Sequence, residues 1–148
     1  KLFANSSKDL RIISALCQDS VGDTEHIHWS KKGKSFSILL NRFRWELLDL
    51  ENTKDPKPCR ISSILFFRWV LSVKSKRLNV TSFNEKFSLL GINYKNLGGI
   101  KRLILIFSGG AEILIEVEYL EVFLKDIGNT HSAISGKIPL HNNLIIGD

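Results

Sequence analysis

Apolar side chains recur at helical spacing close to the start of the chain. Leu10, Ile13 and Cys17 fall at positions i, i+3 and i+7, a spacing that places side chains on one face of an α-helix. Ser6 and Asp9 form an approximate capping box at the start of this stripe, in which the serine hydroxyl accepts a hydrogen bond from a first-turn amide. The pattern predicts a helix over residues 8–18.

After this helix the apolar residues alternate with polar ones, as they do in half-buried β-strands. Phe36 and Leu40 occupy even positions, whereas Phe43 and Trp45 occupy odd positions. A shift of one residue turns the apolar side chains of a strand to the opposite face of its sheet. We therefore expect a β-bulge or a break near residues 41–42.

Turn residues divide the rest of the chain into further segments. Gly33, Gly98-Gly99 and Gly109-Gly110 suit tight turns, because glycine tolerates the positive φ angles that hairpins require. The predicted segments are strands over 25–31, 35–41, 61–74 (bent near Arg68), 87–94, 103–107 and 111–117, a loop over 49–58, a helix over 118–127, and a loosely held C-terminal tail over 129–148.

The order of helix, about seven strands and helix predicts an α+β fold. We expect an antiparallel β-rich roll or sheet with an N-terminal and a C-terminal helix. A pleckstrin-homology-like layout fits this order, and a sheet with both helices on one face is the open alternative. At 148 residues, the chain is expected to form a single domain over residues 1–148.

Charge and cysteine content indicate a basic cytoplasmic protein. The net charge is +6, and residues 1–102 carry 19 Lys/Arg against 9 Asp/Glu. The two cysteines, Cys17 and Cys59, form no CxxC pair, so we expect both to be reduced. The first ten residues lack the apolar segment of a signal peptide, and no apolar run has the length of a membrane span.

Two histidines are the candidates for a metal site. His26 and His28 lie two residues apart on a predicted strand, so both imidazoles should point to the same face. This spacing occurs in metal sites, where a third ligand would have to come from His131, His141 or a carboxylate. We interpret the pair as surface residues and expect no cofactor.

Cations alternate with aromatic residues in two places, a composition typical of single-strand nucleic-acid binders. The same aromatic residues also fit strand alternation, which would place them in the core. The residues of this candidate surface for nucleic acid or another partner are Arg42, Arg44, Arg68, Lys74, Lys76 and Arg77.

The sequence does not match the catalytic motifs that it partly resembles. Gly33-Lys34-Ser35 imitates the end of a P-loop, but His28 stands where the first glycine is required and a predicted strand follows instead of a helix. Glu112, Glu116 and Glu118 share the polar face of one predicted strand, whereas glycosidase carboxylates face each other across a cleft. We predict no catalytic residue.

Several segments resemble one family. They are LNRFRWE (40–46), RWVLSV (68–73), FSLLGI (87–92), LIFSGGAEI (105–113), VEYLE (117–121) and LKDIG (124–128). Together they resemble a family of short alphaproteobacterial proteins known as domain of unknown function 2948. The chain departs from the family pattern at Tyr119, where a cysteine is expected, and at His131, where a tryptophan is expected. The resemblance implies no particular activity, cofactor or functional residue.

The sequence therefore leaves the biochemical function unknown. We expect a non-catalytic cytoplasmic module that binds an unidentified protein or small molecule. The first alternative is a nucleic-acid-binding domain that uses the basic region 1–102. The second is a small metal-dependent enzyme that uses His26 and His28.

Overall fold

The computed structural model of the protein describes residues 1–45, 59–78 and 85–128. The predicted loop over 49–58 and the predicted tail over 129–148 lie outside these residues. The described elements are α1 (Ser7–Leu16) and ten strands: β1 (Leu2–Ala4), β2 (Ser20–Asp23), β3 (Ile27–Ser30), β4 (Ser35–Phe43), β5 (Arg60–Arg68), β6 (Val70–Lys76), β7 (Lys86–Leu97), β8 (Ile100–Phe107), β9 (Glu112–Val117) and β10 (Val122–Asp126).

Helix α1 confirms the helix predicted near the start of the chain. The Ser6 hydroxyl accepts a hydrogen bond from the Asp9 amide at 3.2 Å, and such a cap stabilises a helix by about 1 kcal/mol. Leu10, Ile13 and Cys17 are buried against the sheet. In the described part of the chain, no helix is long and apolar enough to cross a membrane.

The strands form one antiparallel sheet in the order β1-β10-β5-β4-β2-β7-β8-β9-β6, and β3 pairs with β4. Trp69 alone separates β5 from β6, although these strands lie far apart in that order. The sheet must therefore curl until β6 and β9 meet beside β5 and β10. The Glu118 amide donates to the Trp69 carbonyl at 2.8 Å, and the Arg68 amide donates to the Glu121 carbonyl at 3.1 Å. These bonds join the two pairs into a roll.

The inner face of this roll carries the core. Side chains at every second position of the long strands point inward, and the largest of those that are fully buried are Phe36, Phe67 and Phe107. Phe36 and Phe67 meet edge to face with ring centroids 5.8 Å apart. The β-rich α+β fold predicted from the sequence is confirmed.

The predicted helix over residues 118–127 is wrong. This segment holds β10, whose five residues pair in register with β5. Leu120, Val122 and Leu124 are buried, whereas Glu121 and Phe123 are half-buried. Apolar residues four positions apart fit both helical and strand spacing, and pairing with β5 decides for the strand. The pleckstrin-homology-like layout required a helix in this segment and is therefore not supported. The described residues form ten strands instead of the predicted seven or so.

The predicted break near residues 41–42 is also wrong. Strand β4 pairs with β5 in an unbroken register from Ser35 opposite Arg68 to Phe43 opposite Arg60. Even positions keep pointing inward to the end of the strand, so Arg42 takes a core position and is 2% exposed.

The three hairpin turns lie where the glycines predict them, although in the β3–β4 turn the positive φ belongs to Lys34 (50°) and not to Gly33. Hairpins join β3 to β4, β7 to β8, and β8 to β9. Gly109 and Gly110 have φ angles of 79° and 81° in the last of these turns. The predicted bend near Arg68 lies one residue later, at Trp69, whose φ of 61° is uncommon for a residue with a side chain.

Candidate interaction surface

Strands β7, β8, β9 and β6 share an outer face, on which β8 carries aliphatic side chains where a solvent-facing sheet normally carries polar ones. Leu97 of β7 and Leu114 of β9 lie beside them, whereas β6 contributes Lys74 and Lys76 to this face. In β8, Leu103, Leu105 and Phe107 point into the core. Ile104 therefore points outward, and the register places it opposite Leu114 of β9. Strands that are apolar on both faces are typical of sheets covered on both sides.

A groove runs over this outer face with a volume of about 190 Å³. Its lining residues come from β7, β8 and β9, and we call them the β8 groove: Lys95, Leu97, Ile100, Arg102, Ile104 and Leu114. Leu97 is 65% exposed and Ile100 is 46% exposed. Contiguous exposed aliphatic residues within a polar rim are a feature of interaction sites.

Charged side chains surround the β8 groove. Arg102 lies 3.8 Å from Glu116 in a loose ion pair. Lys74 and Lys76 of β6 lie in register with Leu114 and Glu112 of β9. With Lys95, the rim contains four cations and two carboxylates, so its net charge is positive.

The six basic residues of the candidate nucleic-acid or partner surface lie in three places. Lys74, Lys76 and Arg77 lie at the β6 end of this outer face. Arg68 lies at the corner of the roll, 3.5 Å from Glu121 and with its guanidinium 5.0 Å from the ring centre of Trp69. Arg42 and Arg44 lie on and just after β4, a strand that does not pair with β6.

Arg42 stabilises the fold from inside the roll. Its Nε and Nη2 atoms donate to the two carboxylate oxygens of Asp126 at 3.0 and 2.8 Å, and the Ser63 hydroxyl donates to the same carboxylate at 2.6 Å. Burial opposes ionisation of Asp126, but these hydrogen bonds outweigh burial and lower the pKa of that carboxyl. The nearby Cys17 thiol is buried, and burial raises its pKa to about 12.

The two candidate histidines separate in the structure. His26 lies at the end of a short 3-10 helix with Asp23 and Glu25, and the potential ligand atoms of these three side chains are all within 4.8 Å of one another. His28 lies on β3 opposite Ser37 and is outside that group. Lys86 Nζ lies 2.7 Å from Asp23 Oδ1, so a cation already neutralises one of the carboxylates.

A shallow polar cleft of about 740 Å³ lies beside β2. Asp23, Asn41 and Lys86 line it together with Ser88 and Ser108. Within the described residues, Asn41 Oδ1 is buried without a hydrogen bond. Gly22 forms part of its floor, where a Cβ atom would lie 2.5 Å from Phe87 Cζ. The cleft is wide and open, with no charged side chains beyond the Asp23–Lys86 pair in its described lining.

The sequence interpretation did not identify the β8 groove. Its signal is the uninterrupted run from Leu103 to Phe107, followed by Leu114 between two inward-facing isoleucines. Such runs are apolar at both odd and even positions. A strand that faces water on one side is expected to be apolar at only one of these two sets of positions.

The fold and this surface define a β-rich α+β domain with an exposed apolar groove. The chain belongs to the family described as Protein of unknown function (DUF2948), whose model matches residues 1–141. This confirms the resemblance to domain of unknown function 2948. No curated protein and no solved structure matches the chain.

Proposed function

We propose that this protein is a protein-interaction module that binds a partner through the β8 groove. The observation that supports this proposal is the presence of aliphatic side chains at adjoining outward positions of β7, β8 and β9. A fully buried leucine or isoleucine contributes about 1.5–3 kcal/mol. Covering the exposed parts of Leu97 and Ile100 would therefore contribute about 2 kcal/mol to binding.

The composition of the surface supports a protein partner. Specific interfaces combine an apolar centre with a polar rim, and the β8 groove has this arrangement. The groove is also concave, so it can accept a protruding side chain, as the central pockets of interfaces do. The expectations of a cytoplasmic location, of a single domain and of a non-catalytic role remain predictions.

The two alternative functions have less support. Single-strand binders stack bases on aromatic side chains, whereas the lining of the β8 groove contains aliphatic and cationic residues. A metal-dependent enzyme that uses His26 and His28 would need both imidazoles at one ion, whereas His28 lies outside the group formed by Asp23, Glu25 and His26.

The proposal can be tested by photo-crosslinking in the cells that produce the protein. A photoreactive amino acid replaces Leu97 in the groove or, as a control, Ile12 on α1, which is 52% exposed. We expect a discrete adduct from position 97 and none from position 12.

Two further substitutions, each added to the protein with the photoreactive residue at position 97, test whether the adduct depends on the groove. Ile100→Thr changes the groove, and Ile12→Thr makes the same change on α1, where Ile12 is 52% exposed. The adduct should disappear with Ile100→Thr and persist with Ile12→Thr. An adduct unaffected by Ile100→Thr would contradict binding through the β8 groove.

A further inference from the structure

We infer that the partner segment is an acidic amphipathic α-helix, with aliphatic side chains on one face and carboxylates along both flanks. This inference rests on the proposed function and adds the chemistry of the partner. It follows from the charge around the β8 groove and from the width of the surface.

The cations flank the groove on opposite sides. Lys95 belongs to β7 and lies opposite Arg102 in the register of β7 and β8. Lys74 and Lys76 belong to β6, on the far side of β9. Within the described residues, these three lysines form no ion pair. Three long cationic side chains are therefore available to a partner.

The spacing of the strands fits one helix. From β7 to β6 there are three strand spacings, which span about 14 Å. An α-helix with its side chains is about 10–12 Å across. A helix lying along β8 and β9 would place its apolar face over Ile104 and Leu114. Carboxylates on its flanks would then reach Lys95 on one side and Lys74 on the other.

Other occupants fit this surface less well. A second copy of the chain would bring two positively charged rims together, which is unfavourable. A membrane surface is broad and flat, whereas the apolar residues here line a concave groove. Single-stranded nucleic acid would find no aromatic side chain in the described groove lining on which to stack its bases.

The probes are two synthetic helical peptides of equal length with the same leucine face. One carries glutamate on its flanks and the other carries lysine. We expect the Leu/Glu peptide to bind the full chain in fluorescence anisotropy at 50 mM salt and the Leu/Lys peptide to bind at least tenfold more weakly. Raising salt to 500 mM should weaken the Leu/Glu complex by about tenfold, because the screening length then falls well below 10 Å.

Matched charge variants test whether the preference for the Leu/Glu peptide arises at the β8 groove. Lys95→Glu should weaken the Leu/Glu complex by about tenfold or more, because it replaces an attractive charge by a repulsive one. Lys32→Glu makes the same change in net charge on the exposed β3–β4 turn and should leave binding within about twofold. Both residues are exposed, so we expect both variants to fold, and circular dichroism is the check on this.

The possible results separate this inference from the proposed function. If both peptides bind equally and Ile100→Thr weakens both, the groove is an apolar docking site and the acidic partner is wrong. If neither peptide binds and photo-crosslinking at Leu97 also fails, the proposed function is wrong as well. Binding to phosphatidylserine vesicles instead of the Leu/Glu peptide, or a dimer in sedimentation that Ile100→Thr dissociates, would overturn the inference in favour of that occupant.

Discussion

The ion pair between the buried Arg42 and the partly exposed Asp126 allows a quantitative test of how the roll is stabilised. The Arg42 side chain is 3% exposed and that of Asp126 is 36% exposed. Asp126→Asn removes the negative charge with little change of shape. It removes the Asp126 carboxylate charge from the buried Arg42 guanidinium.

The expected loss follows from this geometry. Removing one partner of a buried ion pair typically costs about 3–5 kcal/mol. Water reaches Asp126 and screens part of the interaction, so we expect Asp126→Asn to lower the free energy of unfolding by about 2–3 kcal/mol. With a urea m value of about 2 kcal/mol/M, the unfolding midpoint should fall by about 1–1.5 M.

Urea unfolding followed by tryptophan fluorescence measures this loss. Lys125→Gln, the neighbouring exposed position on β10, is the control and should stay within about 0.5 kcal/mol. Arg42→Met and the double variant complete a thermodynamic cycle, in which the two positions should couple by more than about 1 kcal/mol. A loss below about 0.5 kcal/mol in Asp126→Asn, or no coupling, would refute the reasoning.

The pH dependence gives a second readout of the same pair. Burial alone would raise the pKa of Asp126, but the hydrogen bonds from Arg42 and Ser63 lower it below its ordinary value of 3.8. The stabilisation is therefore complete well above about pH 4 and is lost as the pH falls through the lowered pKa. The difference in stability between wild type and Asp126→Asn should narrow in that acidic range and stay constant near neutral pH.

Further predictions concern other parts of the chain. Gly22→Ala should destabilise the protein by about 1–3 kcal/mol in thermal unfolding, because its Cβ would lie 2.5 Å from Phe87 Cζ; an unchanged melting temperature would contradict this packing. A thiol reagent at pH 7 should modify Cys59 before Cys17, which is fully buried with a pKa of about 12; mass spectrometry would show the reverse order if Cys17 were accessible. Zinc should not change the melting temperature, and a rise that His26→Ala abolishes would show that the Asp23 group binds metal.

Local signals in the sequence were sufficient for the elements that depend on neighbouring residues. Helix α1 has its cap and its apolar stripe within about a dozen residues, and the β7–β8 and β8–β9 turns have positive φ angles at their glycines. These features need few distant contacts to be recognised. They were therefore predicted close to their observed bounds.

The candidate groove was only partly predictable. The run from Leu103 to Phe107 shows that both faces of β8 are apolar, but it does not show which strands lie beside it. The position of Lys74 opposite Leu114 follows from the β6–β9 register, which brings together residues about forty positions apart in sequence. No local pattern specifies that pairing.

The sequence by itself determined that this chain forms an antiparallel β-rich fold with an N-terminal helix, because period-two and helical spacings appear within short windows. Only the tertiary structure decided that residues 122–126 form a strand and that Arg42 points into the core. In both cases the local sequence pattern was compatible with two structures. A contact with a residue or strand distant in the sequence determines which of the two forms. Strand β5 pairs with β10, and Asp126 supplies the charge that lets Arg42 remain buried.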